Sequence, residues 1–240
     1  MTAADDVDRT DGRGVDMHRL FKIRPRGVLG RRRLLVGLST LVLLIVLAVI
    51  VTMWARSGPD DAGDLTAEVT GTTVVLNGVV GSESLATVED VLADHPDVTT
   101  LEFGLMYGSV DDDTNLEIAR LVRARGLDTH LVSGSRAYSG ATDLFLAGTE
   151  RTIDCGAAFG VHSWAKADGR TARDFPRDPE HPEHAQYIEY YEELGGIRAE
   201  EFYWFTVDRS PFERIYHMSP EEINGFGIVT TPMSCPAPST

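Results

Sequence analysis

Cysteine is nearly absent: Cys155 and Cys235 are the only two in 240 residues, so at most one intramolecular bridge can form. Basic side chains are scarce over most of the chain as well. Residues 57–240 carry 12 Lys and Arg against 32 Asp and Glu. Such a surface is a poor partner for nucleic acid, because phosphate binding draws its affinity from clustered Lys and Arg. One stretch, Leu34 to Trp54, lacks charge altogether, with Ser39, Thr40 and Thr52 as its polar side chains.

At ~1.5 Å rise per residue, about twenty apolar residues cross a hydrocarbon core of roughly 30 Å. Arg24, Arg26 and Arg31 to Arg33 precede the stretch, whereas only Arg56 follows it closely, before Asp60 and Asp61. By the positive-inside rule the amino end stays in the cytoplasm. A cleaved signal peptide fits less well, since its apolar core runs only ~7–15 residues and no small-x-small site follows Trp54. The expected organisation is a disordered cytoplasmic tail over 1–33, a transmembrane helix over 34–54, a linker over 55–64 and an extracytoplasmic domain over 65–240. The expectation is a single-pass protein of the cell membrane. The basic end of the tail suits anionic lipid headgroups. Both cysteines fall in the outer domain, where oxidising conditions let a disulfide persist. A Cys155–Cys235 bond would close a loop of about eighty residues and contribute ~4 kcal/mol by chain entropy; two unpaired thiols are the other reading.

Within residues 65–240, Thr72 to Leu76 reads as a strand running into an Asn77-Gly78 turn, and Thr99 to Phe103 as a second strand. Between them Ser82 to Ala93 places Leu85, Val88, Val91 and Leu92 on one helical face, with Ser82 as a cap. Asp113 to Leu116 opens a helix that Gly126 closes. Thr129 to Val132 is a strand, Ala141 to Ala147 a helix, and Thr152-Ile153 and Ala158 to Val161 are short strands. This alternation predicts an α/β domain with a largely parallel sheet. Tyr187 to Leu194 and Ala199 to Phe205 read as helices with a dense aromatic set, of which Phe202 to Phe205 is expected in the core, a substrate groove being the other reading. Ser219 to Glu222 is a capping box with Pro220 at the first helical position, leading a short helix to Gly225. No internal repeat is present.

The segment that carries chemistry is Ser133 to Gly148, followed by Gly160-Val161-His162. A serine where a strand gives way to a helix exposes its hydroxyl, and the following N–H, that of Gly140, opens into the same space. The other reading of Ser139 is an N-cap, and of His162 a strand-end histidine bonded to a carbonyl. His181, His184 and His217 lack a placed carboxylate or cysteine partner, so no metal is expected. Asp111 to Asp113 reads as a solvated loop and helix amino-end charge.

Taken in order, Leu76 to Gly81, Leu101 to Val110, Ala119 to Thr129, the serine segment, Gly160 to His162 and Met218 to Thr230 resemble the Clp-protease/crotonase superfamily, specifically its extracytoplasmic Clp-like serine proteases. The resemblance covers about 150 residues. It implies a Clp/crotonase-like fold of repeated ββα units, Ser139 as nucleophile, His162 as general base, and the N–H groups of Gly140 and Gly108 as oxyanion donors. Tyr107 stands where the family has the first of paired glycines. No residue clearly matches the family's acid; Asp208 and Glu213 are the candidates, beside a Ser-His pair oriented by a carbonyl. The expected activity is a serine hydrolase acting on peptides or proteins without a cofactor, in a homo-oligomer. The alternatives are a catalytically inactive binding module of the same fold and acyl-CoA chemistry. The last is disfavoured because acyl-CoA is scarce outside the cytoplasm and its phosphates suit an acidic domain badly.

Overall fold

The computed structural model describes residues 63–236; the expected tail, transmembrane helix and most of the linker lie outside them. Among the described residues no helix is long and apolar enough to cross a membrane. In chain order the elements are β1 (Thr66–Thr70), β2 (Thr73–Val80), α1 (Ser84–Asp94), β3 (Thr100–Ser109), α2 (Asp112–Arg125), β4 (Asp128–Tyr138), α3 (Gly140–Leu146), β5 (Arg151–Ile153), β6 (Ala158–Val161), α4 (Pro182–Leu194), α5 (Ala199–Arg209), β7 (Tyr216–His217) and α6 (Pro220–Phe226).

They build an α/β fold on one mixed sheet of order β1-β2-β3-β4-β6-β7, with β5 also on β4. The pairings β2–β3, β3–β4, β4–β5 and β4–β6 are parallel, while the outer pairs β1–β2 and β6–β7 are antiparallel. The edge β1 turns directly into β2 through Gly71, whose φ is 61°, and so tight a connection can only make an antiparallel pair. Gly63 and Asp64, expected as linker, already pair with Val79.

Several elements depart from the sequence expectation for local reasons. Asn77-Gly78 is not a turn: β2 runs through it as an irregularity, and Asn77 Oδ1 accepts from Leu105 N at 2.8 Å. The cap position of α1 is Glu83 rather than Ser82 and carries no side-chain cap, while Ser84 Oγ in the first turn accepts from Gly81 N. α2 opens on Asp111, which accepts from Thr114 N, and closes on Gly126 at φ 68°. His181-Pro182-Glu183-His184 is not a loop but the opening of α4, with His181 at the cap and Pro182 in the first turn. α6 carries the expected capping box between Ser219 and Glu222.

The core is one apolar cluster in which Leu76, Leu101, Phe103, Met106, Leu131 and Phe145 are fully buried. Phe103, Phe145 and Phe159 pack edge-on with centroids 5.6 and 5.5 Å apart, locking α3 onto β3 and β6. Buried Arg151 donates to the carbonyls of Gly148, Gly227 and Ile228, which pins the chain after α6 to β5. Cys155 and Cys235 form a disulfide spanning 80 positions, with Cα atoms 5.5 Å apart.

Candidate active site

Register brings the four predicted site residues to one place. Met106 pairs with Ala137 and Tyr138 with Gly160, so two residues on, Gly108 stands beside Ser139, with His162 just past the end of β6. Ser139 N donates to Gly160 O at 3.0 Å, extending the β4–β6 ladder by one bond.

Ser139 has φ 53° and ψ −132°, and is the one non-glycine with positive φ among the described residues. A conformation of this kind costs on the order of 1–3 kcal/mol and persists only where the surroundings over-determine it. Here they do. Its N–H is held by Gly160, and its carbonyl accepts from both Thr142 N (2.8 Å) and Thr142 Oγ1 (2.7 Å). Its hydroxyl caps nothing, so the N-cap reading fails and the Oγ is left free at a strained strand-to-helix turn, the placement that nucleophile elbows use.

Gly108 at φ 125° tolerates no side chain: a Cβ there would lie 2.8 Å from Ser139 Cβ and 3.3 Å from Ser139 Oγ. Its backbone therefore lies directly against the hydroxyl. Tyr107 does not disturb this arrangement, since its ring takes the Arg136 guanidinium at 5.6 Å from its centroid. Gly140 is equally confined, as a Cβ on it would collide with Ser109 Oγ. Its carbonyl accepts from the buried Asn115 Nδ2 at 2.8 Å.

His162 Nδ1 lies 2.6 Å from the carbonyl oxygen of Phe212, and the two rings stack with centroids 5.3 Å apart. A carbonyl only accepts, so Nδ1 carries the proton and Nε2 is the basic atom of the neutral ring. Burial holds this imidazole below its ordinary value, against the Phe212 bond and the charges of Asp112 and Glu213, which push it up. His162 and Ser139 line the same cavity, though no hydrogen bond joins them among the described residues. Neither candidate acid binds the ring. Asp208 is turned to Arg177 at 2.9 Å in an exposed ion pair, and Glu213 acts on His162 only through its field.

Sequence reasoning missed the acidic wall of this cavity. Asp112 accepts from Ser109 Oγ and, at 2.6 Å, from Tyr187 OH. Asp143, 9% exposed, accepts from Tyr191 OH at 2.5 Å, while its main-chain carbonyl accepts from Tyr190 OH at 2.7 Å. Burial raises the Asp143 carboxyl to about 7; the Tyr191 bond works against this and the nearby Asp112 charge adds to it. The same burial drives the Tyr191 hydroxyl far up. The only signal in the sequence was a lone carboxylate inside the apolar run Ala141 to Ala147. Part of the aromatic set thus faces the site: Tyr187, Tyr191 and Tyr203 line the cavity, whereas Tyr190 and Phe202 are fully buried.

The cavity has a volume of about 40 Å³, and beside it runs a groove of about 730 Å³ that shares Asp112, Trp164 and Tyr187 with it. Lys166, the single lysine of the described residues, faces that groove and is paired with Glu183 at 2.5 Å. His184 is buried in the aromatic cluster with Nδ1 2.6 Å from Tyr203 OH, and among the described residues no group of three metal-ligating side chains exists.

The chain is similar in structure to Clp-like proteases and crotonase-fold enzymes. A membrane-bound stomatin-specific protease, 1510-N, is 13% identical over 66% of this chain and 75% of its own, with a TM-score of 0.45. ClpP1 from Listeria monocytogenes is 16% identical over 66% and 88%, at 0.47. Enoyl-CoA hydratase from Thermoplasma volcanium GSS1 is 10% identical over 69% and 70%, at 0.41. No family model matches the chain, and no curated protein matches it.

Proposed function

We propose that this protein is a membrane-anchored serine hydrolase, acting as a peptidase, whose globular domain lies outside the cytoplasm. The observation that carries it is the conformation of Ser139, an uncapped serine held at positive φ, with Gly108 packed on its hydroxyl and a correctly tautomerised His162 in the same cavity. Ser139 Oγ attacks the scissile carbonyl while His162 Nε2 takes its proton. The Gly108 and Gly140 N–H groups stabilise the oxyanion. Collapse expels the amine, which takes the proton back from His162, and water then hydrolyses the acyl-enzyme. No cofactor enters these steps. The apolar run Leu34 to Trp54 with its basic flank supports the anchor, and the disulfide supports an oxidising compartment.

A second reading, a non-catalytic module that binds a peptide, is favoured by the missing Ser139–His162 hydrogen bond and by the absence of a carboxylate on His162 among the described residues. Fluorophosphonate labelling of the full-length chain in detergent separates the two. Labelling lost in both Ser139→Ala and His162→Ala is the expected result. A folded wild-type chain that takes no label belongs to the binding module.

A further inference from the structure

The cavity beside Ser139 is small, polar and lined by acidic side chains, which bears on what the enzyme cleaves. Ser139 opens α3, and Asp143 sits four residues on, one helical turn below the hydroxyl. Every residue of α3 is buried, so Asp143 cannot turn out to solvent. One carboxylate oxygen is held by Tyr191 OH; the other accepts no hydrogen bond among the described residues and is open to the cavity that Asp143 lines. A carboxylate oxygen that opens into a cavity without a protein donor is free to receive a donor or a cation.

The remaining polar groups leave this role to Asp143. Asp112 has one oxygen on Ser109 and the other on Tyr187. Thr142 spends its hydroxyl on the Ser139 carbonyl. Among the described residues no Lys or Arg lines the cavity to neutralise its acids. The adjoining groove repeats the sign: Asp111, Asp113, Glu183 and Glu213 face it, against Lys166, which Glu183 already holds. A cation or a hydrogen-bond donor is therefore the favoured guest in both places. Size narrows the class. A water needs roughly 10–15 Å³ of such volume, so about 40 Å³ accommodates a compact cationic head group.

Resting on the serine-peptidase reading above, we propose that this cavity receives the side chain of the residue whose carbonyl Ser139 attacks, and that Asp143 makes it select a basic side chain, lysine ahead of arginine. Lysine leads because its ammonium is a compact point charge, whereas guanidinium is a broad plane. The free Asp143 oxygen meets the ammonium, Tyr191 holds the other oxygen in place, and the acidic groove takes further positive charge along the peptide.

The test uses the full-length chain in detergent and peptidyl diphenyl phosphonates that differ only in the residue bonded to phosphorus: lysine, arginine, leucine or alanine analogues. A plain fluorophosphonate without a side chain reports the serine alone. The expected result is lysine phosphonate labelling at least about tenfold faster than leucine, the ratio corresponding to roughly 1.4 kcal/mol, with arginine between them. In Asp143→Asn the lysine-to-leucine ratio, taken within that protein so that any general loss of reactivity divides out, falls to within about threefold of one. Should Asp143→Asn fail to fold, n-butylamine slowing fluorophosphonate labelling of the wild type, where n-butanol does not, carries the same point. Equal rates for lysine and leucine, a leucine preference, or a lysine preference that survives in Asp143→Asn overturns the proposal while leaving the serine hydrolase standing. Absence of plain fluorophosphonate labelling removes both.

Discussion

The imidazole Nδ1 of His162 is bound at 2.6 Å by the main-chain carbonyl of Phe212 and, among the described residues, by no carboxylate. An orienting group that is part of the backbone cannot be removed by a side-chain change, and this gives the first prediction. Asp208→Asn and Glu213→Gln are each expected to keep the fluorophosphonate labelling rate within about threefold of wild type, where loss of a true triad acid costs on the order of 10⁴-fold. Labelling rates of the two variants decide it; a collapse in either names the third catalytic residue.

The histidine also sets a pH limit. Labelling needs a neutral ring, and burial holds His162 below its ordinary 6.5, so the acid limb of the rate is expected to have its midpoint below 6.5. Glu213 pushes the ring upward through its field. Glu213→Gln is therefore expected to move the limb further to acid. A rate profile from pH 4.5 to 8 on both proteins measures it.

Gly108→Ala places a methyl 2.8 Å from Ser139 Cβ at a φ of 125°. It is expected to cut labelling by at least ~10²-fold, the usual loss for one oxyanion donor, and to lower the melting temperature. The control is Gly71→Ala, also at positive φ but with nothing within 4 Å. That variant should cost about 1–2 kcal/mol of stability and leave labelling intact.

Asp143 makes stability depend on pH. Its carboxyl sits at about 7 in the fold, above the ordinary 3.8, so the folded chain holds a proton that the unfolded chain gives up. This contribution is full below about pH 4 and is lost as pH rises through 7. Each unit is worth about 1.4 kcal/mol. Thermal unfolding between pH 5 and 8 is expected to weaken more steeply in the wild type than in Asp143→Asn; parallel curves would mean that the carboxyl is ionised and compensated.

How far the sequence could be read depended on distance along the chain. Alternating strands and helices, the Ser219 capping box and the grouping of Ser139, His162, Gly108 and Gly140 were legible because each rests on a local pattern or on ordered motifs. β4 was read too short because Ser133, Gly134 and Ser135 interrupt its alternation, where the strand has Gly134 at φ 82° and the Ser135 hydroxyl returns to Val132 O. The acidic wall was not legible at all. Nothing near Asp143 announces that Tyr191, 48 residues later, will cover it, and nothing near Asp112 announces Tyr187, 75 residues on. A carboxylate reads as a solvated charge until the element that buries it is known.

The bond between Cys155 and Cys235 encloses β6, His162, Phe212 and all three tyrosines that brace the aspartates. Half of the site therefore belongs to a covalent ring. A single cut anywhere in that ring, such as in the exposed stretch around Asp168-Gly169, opens the circle without releasing a fragment. The nicked chain would run as two pieces only after reduction, and it would keep both halves of its centre tethered while the bridge lasts.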